Sequence, residues 1–293
     1  MLTLSDGVAE VEVLPRLGAG LLRYDFTARG RREPLFRGAP PGAIEPFALA
    51  NIVLVPWSNR ISGGGFHFGG AFHALEANIP GEPFPIHGNG FLSAWTVSER
   101  NLTRVALSLK SMGPGPFRYD AEMTYALSGG ALAMTLVVVN RAAIPLPYGL
   151  GFHPWLPRTP ETLLAAEASG VWLEDERHLP TGRKPIAERP EWDFSSLRGL
   201  PTQWINNAFD GWSGRATIAW PERRLALDVQ AGRELGAYIV YSPSRDADFF
   251  CFEPVSHVVD AHNLAKGPAA DGLAILAPGE RFEASCTFAP RET

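Results

Sequence analysis

With 293 residues, 45% of them hydrophobic and only 19% charged, the chain has ample material for a buried interior and is not a disordered polymer. Its formal net charge of -5 supplies no polybasic footprint for nucleic acid or anionic lipid, which turns attention to a neutral or small ligand. The two cysteines, Cys251 and Cys286, sit inside apolar runs, so no disulfide framework is expected.

The first ten residues lack a basic stretch followed by an apolar one, and no run is long enough to span a bilayer, so a cytoplasmic protein is expected. Glycines and prolines, 30 and 26 of them, are spread along the chain, which suits many strands joined by turns within one domain over residues 1–293.

In chain order, Val11 and Val13 alternate with Glu10 and Glu12 as a half-buried strand. The basic, Gly- and Pro-containing segment Arg29 to Pro41 reads as an exposed loop. An apolar run from Ile52 to Trp57 then delivers Ser58, Asn59 and Arg60 at a strand end, where a guanidinium beside Trp57 and Asn59 can fork onto hydroxyls or simply face solvent. Gly63 to Gly65 has no following Lys-Ser/Thr and no helix, which argues against a phosphate loop. Phe66 to Leu75 reads as a hairpin turning at Gly69-Gly70, with His67 and His73 as ordinary strand residues.

A proline-restricted loop from Pro80 leads to His87-Gly88-Asn89-Gly90, where His87 is constrained and is either a ligand-binding or a structural histidine. Ala94 to Asn140 reads as a meander of alternating strands without chemistry. His153, between Phe152 and Pro154, has a backbone held extended and a ring that can be aimed; a proton donor and a satisfied core histidine both fit. From Leu163 to Leu200 the pattern is irregular, and Glu174-Asp175-Glu176-Arg177 reads as a solvated charged surface. Thr202 to Gly214 gathers Asn206, Asn207, Asp210 and Trp212 into what reads as a turn, suited to sugar recognition or to an ordinary Asx turn.

Leu225, Leu227 and Val229 form one further strand face, and Phe282, Ala284, Cys286 and Phe288 another. Between them, Phe249 to Phe252 reads as a buried strand that ends by presenting Glu253 just before Pro254, as a base or toward solvent. No amphipathic helix of convincing length emerges.

Taken in order, Asn59-Arg60, His87-Gly88, Phe152-His153-Pro154, Ile205-Asn206-Asn207-Ala208-Phe209 and Phe252-Glu253-Pro254 resemble the aldose 1-epimerase (galactose mutarotase-like) family, as do Ala261-His262-Asn263 and the closing Leu276 to Glu280. The resemblance implies an all-β fold, a large antiparallel β-sandwich called a supersandwich, with a sugar in a cleft across one sheet. It further implies Glu253 as general base and His153 as general acid, with Arg60, His87, Asn59 and Asn206 binding the sugar and no metal or organic cofactor. For acid–base work His153 is expected protonated and Glu253 ionised, each favouring the other's charge. Asn206 stands where the family commonly has aspartate, so a full negative charge is missing there.

Competing readings are a non-catalytic carbohydrate-binding protein and an epimerase for an unusual or phosphorylated sugar, which would want further arginines such as Arg177 or Arg183 at the cleft. A glycosidase would pair Glu253 with Asp210 or Asp260. A zinc hydrolase would draw on His87, His153, His257 and His262. The oligomeric state is left open.

Overall fold

The computed structural model describes residues 1–293. Antiparallel strands dominate it, and its helical pieces are 3-10 turns of three or four residues. No helix is long and apolar enough to cross a membrane. The larger, 11-stranded sheet runs from Leu2–Ser5 through Ala9–Leu14, Gly20–Ala28, Asn51–Leu54, Gly151–Pro157, Phe249–Val255, Ala237–Ser242, Ile205–Asp210 and Gly170–Glu174 to Pro180–Pro185. The nine-stranded sheet carries the meander Thr96–Asn140 at one side and Leu225–Ala231 beside Arg281–Glu292 near its middle.

Period-two alternation divides the large sheet into two faces. Inward residues such as Phe152, Val240, Phe250 and Phe252 join the second sheet's Leu107, Met123, Leu136 and Phe288 in one extended core. The Tyr24 hydroxyl fastens the layers by donating toward the Gly130 and Phe288 carbonyls. On the outward face a separate apolar layer, including Ile52, Trp155, Ile239 and Cys251, lies beneath the cleft.

Several sequence expectations change here. Arg29 to Pro41 is not a free loop: Arg31–Phe36 is an edge strand paired with Gly20–Ala28, and it buries Leu35 and Phe36. Only two consecutive apolar residues anchor it, too few to show an alternation. Thr202 to Gly214 contains the interior strand Ile205–Asp210 rather than a turn, because Ile205 and Phe209 face the core while Asn206 and Ala208 face outward. The irregular stretch after Leu163 holds four short strands. Glu253 does not end its strand, which continues through Pro254 to Val255.

That proline is tolerated inside the sheet because the ladder to the neighbouring strand is interrupted there. Pairing runs Gly151 with Val255, resumes at Trp155 with Cys251, and skips the residues between. A proline has no N–H to contribute to that gap. The register on either side nonetheless sets His153 next to Glu253.

Candidate active site

Rows of outward-facing residues floor the cleft. One row passes from Asn206 to Tyr241, Cys251 and Trp155, and the next from Ala208 to Ile239 and Glu253. His153 stands beside Glu253, with its Nε2 3.4 Å from the carboxyl Oε1. Its ring stacks on Trp155 at 4.0 Å between centroids. Both groups are buried, and Glu253 Oε2 and His153 Nδ1 have no hydrogen-bond partner within the protein.

Burial decides the charge state of this pair. It pushes the Glu253 carboxyl up to about 8, against a smaller opposing pull from Arg60, and pushes the His153 imidazole down to about 3. The 3.4 Å contact therefore joins a neutral carboxyl to a neutral imidazole near pH 7, not an ion pair. Arg60 does not reverse this, because its guanidinium is clamped by Glu82 through Nε at 3.0 Å and Nη2 at 2.7 Å. The expected ion pair is thus replaced by a carboxyl–imidazole pair that shares one titrating proton.

His87 lies beside this pair. Its Nδ1 accepts the Asn59 backbone N–H at 2.9 Å and its own N–H is given to the Asn59 carbonyl at 3.0 Å. With Nδ1 used as an acceptor and burial holding the ring well below its ordinary value, the neutral imidazole carries its proton on Nε2. The His87 and His153 rings meet edge to face at 5.4 Å.

The local backbone is bent to achieve this. Asn59, His87 and His178, all lining the cleft, have φ of 56°, 58° and 62°. Such left-handed residues concentrate at functional sites, where their surroundings must impose them. Gly88, at φ 67°, approaches the protein's own backbone rather than a ligand: a Cβ there would lie 2.2 Å from the Val55 carbonyl oxygen. Asp260 braces the Arg60 segment, since it accepts from the Ser62 N–H and hydroxyl, and its own N–H bonds the Arg60 carbonyl.

Glu253, His153, His87, Asn59, Arg60 and Asn206 all line one cleft of about 360 Å³. Phe47, Trp155, Phe249, Tyr241 and Trp204 form an aromatic arc around it. Sequence reading missed this arc, although Trp155, two residues after His153, had the period-two spacing that marks a shared face. It also missed Arg37, held over the rings of Phe249 at 4.7 Å and Trp155 at 5.5 Å, and the Glu82 clamp on Arg60.

Other candidates lie elsewhere. Asp260 is spent on Ser62 and Asn263, and Asp210 on Arg183 and Trp172, so neither pairs with Glu253. His257 accepts the Ser58 N–H and bonds the Val258 carbonyl, while His262 sits against Pro147. Arg177 pairs with Asp175 and does not line the cleft. Glu174 is not the solvated charge expected of it, since it bonds Asn206 and Trp204. The atoms of His153, Cys251 and Glu253 that could hold a cation lie within 4.8 Å of one another. Burial and the neighbouring Glu253 push the Cys251 thiol well up, so a cation would have to displace protons from both.

The comparison with known families now has a site to explain. A family model described as Aldose 1-epimerase matches residues 1–289. The chain belongs to the aldose 1-epimerase family. It is 35% identical over 278 residues to the uncharacterized protein YphB of Escherichia coli K12, covering 90% of this chain and 94% of that one. A second E. coli K12 protein, YihR, also uncharacterized, is 26% identical over 250 residues, covering 80% of each. Among solved structures, a candidate aldose 1-epimerase from E. coli K12 superposes with a TM-score of 0.91 at 31% identity, covering 99% of this chain and 98% of the other. A GalM/aldose epimerase homologue from Caenorhabditis elegans shares the fold at a TM-score of 0.85 and 17% identity, covering 100% and 98%. Membership in the family accounts for the fold; the sugar is left to the cleft.

Proposed function

We propose that this member of the aldose 1-epimerase family interconverts the α and β anomers of a free aldose. The observation that carries the reading is the buried Glu253–His153 pair, 3.4 Å apart on the floor of an aromatic cleft, with one unpartnered polar atom on each side chain. Glu253 acts as base on the C1 hydroxyl and His153 as acid on the ring oxygen. The C1–O5 bond breaks, the aldehyde rotates about C1–C2, and closure on the other face returns both protons. Opening and closure run in opposite senses, so the pair passes through both of its one-proton tautomers. A sugar hydroxyl bonding Glu253 favours the ionised carboxylate that burial disfavours. His87 Nε2–H, the free N–H groups of Arg60 and Asn59, and Asn206 Oδ1 hold the sugar's hydroxyls and ring oxygen, and the aromatic arc covers its C–H faces. The chemistry calls for no metal, organic cofactor or nucleic-acid partner.

The test is NMR exchange spectroscopy or polarimetry on single anomers of several aldoses, with wild type and Glu253→Gln. Accelerated exchange, lost in the variant, is expected. Binding without acceleration would leave a non-catalytic carbohydrate-binding protein, and equal acceleration by the variant would remove Glu253 from the base role.

One observation favours a narrower substrate class. Arg37 donates to the Phe47 carbonyl at 3.1 Å and has no carboxylate partner, whereas Arg60 is neutralised by Glu82. A half-buried cation at the cleft with no carboxylate in contact, only the more distant Asp248, suits an aldose bearing an anionic substituent, a carboxylate or a phosphate. A hexuronate or an aldose phosphate should then be preferred over the neutral parent, and Arg37→Gln should erase the preference.

A further inference from the structure

Three side chains of one cleft wall converge on a carboxylate behind it. Glu174 Oε2 accepts from Asn206 Nδ2 at 2.9 Å and lies 3.1 Å from His178 Nδ1, while Oε1 accepts from Trp204 Nε1 at 2.8 Å. Asn206, His178 and Trp204 line the cleft; Glu174 faces an outer groove with Asp175 and Glu176. Its side chain is 18% exposed, and alternation along Gly170–Glu174, with Val171 inward and Trp172 outward, puts it on the outward face that Asn206 shares.

An ionised carboxylate has acceptors only, so an amide bound to it must present its nitrogen. One N–H of Asn206 Nδ2 is therefore committed to Glu174, which fixes the amide's orientation and keeps Oδ1 as the acceptor it offers the cleft. A free asparagine could rotate to meet either a donor or an acceptor; this one cannot. Trp204 is fixed by the same carboxylate, its N–H used and its ring 45% exposed beside the opening.

We infer that Glu174 is a positioning residue that sets the hydrogen-bond polarity of this wall, holding Asn206 Oδ1 as an acceptor so that the cleft selects aldoses carrying a free hydroxyl at that position. The inference rests on the aldose reading above and deepens it. It also distinguishes the two ends of the cleft: an anionic substituent suits the Arg37 end and is repelled at the Glu174 end.

The experiment compares wild type, Glu174→Gln, Asn206→Asp and the double variant on a parent aldose and its monodeoxy analogues. A glutamine has one acceptor oxygen; with that oxygen on Trp204, its NH2 faces Asn206 Nδ2, donor meets donor, and the amide is released. For Glu174→Gln, KM should rise about tenfold with kcat changed less than about twofold, and the roughly tenfold penalty for one deoxy analogue should nearly vanish. Asn206→Asp places a second carboxylate against the first and should raise KM by more than about tenfold. Adding Glu174→Gln should recover most of that loss. Unchanged KM in Glu174→Gln with the deoxy penalty intact would overturn the proposal, as would an Asn206→Asp protein equal to wild type. A merely structural Glu174 would lower the melting temperature and leave the deoxy discrimination in place. If wild type neither binds nor converts any aldose, the proposed function fails and Glu174 is judged without sugar. The side-chain amide resonance of Asn206, identified by its absence in Asn206→Ser, should then move in Glu174→Gln, and an unmoved resonance would refute the inference.

Discussion

Replacing Glu253 by glutamine should stabilise the protein while removing its activity. The folded carboxyl keeps its proton up to about pH 8, whereas the unfolded chain releases it near 4.5. Between these values the folded state holds a proton that the unfolded state has lost, so stability falls as pH rises. Each pH unit in the window costs about 1.4 kcal/mol. The loss is about 1 kcal/mol at pH 5, about 3 at pH 7 and about 5 once pH exceeds 8. Glutamine has nearly the same shape, does not ionise, and can donate from its amide to His153 Nε2 where the carboxyl now stands. Urea unfolding at pH 5, 7 and 8.5, followed by the fluorescence of the eight tryptophans, should show the two proteins nearly equal at the lowest pH and diverging above it. In thermal melts the gap at pH 7 should be about 6 °C. A variant that is less stable than wild type at pH 8.5 would mean that the carboxylate is ionised and well paired in the fold, and would refute the argument.

Four further outcomes follow from the same geometry. Anomer exchange by wild type should be level from about pH 5 to 7 and fall about tenfold per pH unit above about 8, where the pair loses its one proton; NMR exchange rates measure it. His153→Gln should lower kcat by more than about a hundredfold, measured by NMR exchange spectroscopy. Gly88→Ala should cost about 2 kcal/mol or more in a thermal melt, because φ 67° and a Cβ 2.2 Å from the Val55 carbonyl cannot both be relieved. Acid should destabilise the protein in the opposite sense to Glu253: burial holds His257 at about 4 against an ordinary 6.5, so its contribution is intact above 6.5 and lost as pH falls toward 4, about 3 kcal/mol by unfolding titration.

The reaction end of the cleft was legible because its residues sit in short motifs with restricted backbones. His87 is held by its prolines and glycines, His153 by a following proline, and Asn59-Arg60 by the run that precedes them. What proved unreadable depends on pairing between distant strands. Arg37 follows a strand that shows only two apolar residues, and Tyr241 reaches the cleft only because its strand is paired between Ile205–Asp210 and Phe249–Val255. The turn assigned to Asn206 has the same origin, since two amides and an aspartate outweigh two core residues in any local reading. Charge states were misjudged for a different reason. Opposite charges at contact distance favour each other in water, but a sequence does not reveal that both groups are desolvated and that Arg60 is taken by Glu82.

That desolvation links the chemistry to the fold. A base that must accept a sugar proton and an acid that must return one work best when neither is locked into a stable charge. An exposed Glu253 would stay ionised and an Arg60 free of Glu82 would hold it so. The layer of Ile52, Trp155, Ile239 and Cys251 keeps water from beneath the pair, and the Glu82 clamp offsets the positive field of Arg60. Releasing the clamp should therefore act through the proton. In Glu82→Gln the bidentate bond is weakened and Arg60 can turn toward Glu253, whose pKa should fall. The alkaline limb of the pH profile should move to lower pH, with kcat/KM reduced at pH 8 more than at pH 6. An unmoved limb, with activity reduced equally at both values, would mean that Glu82 only shapes the sugar's seat.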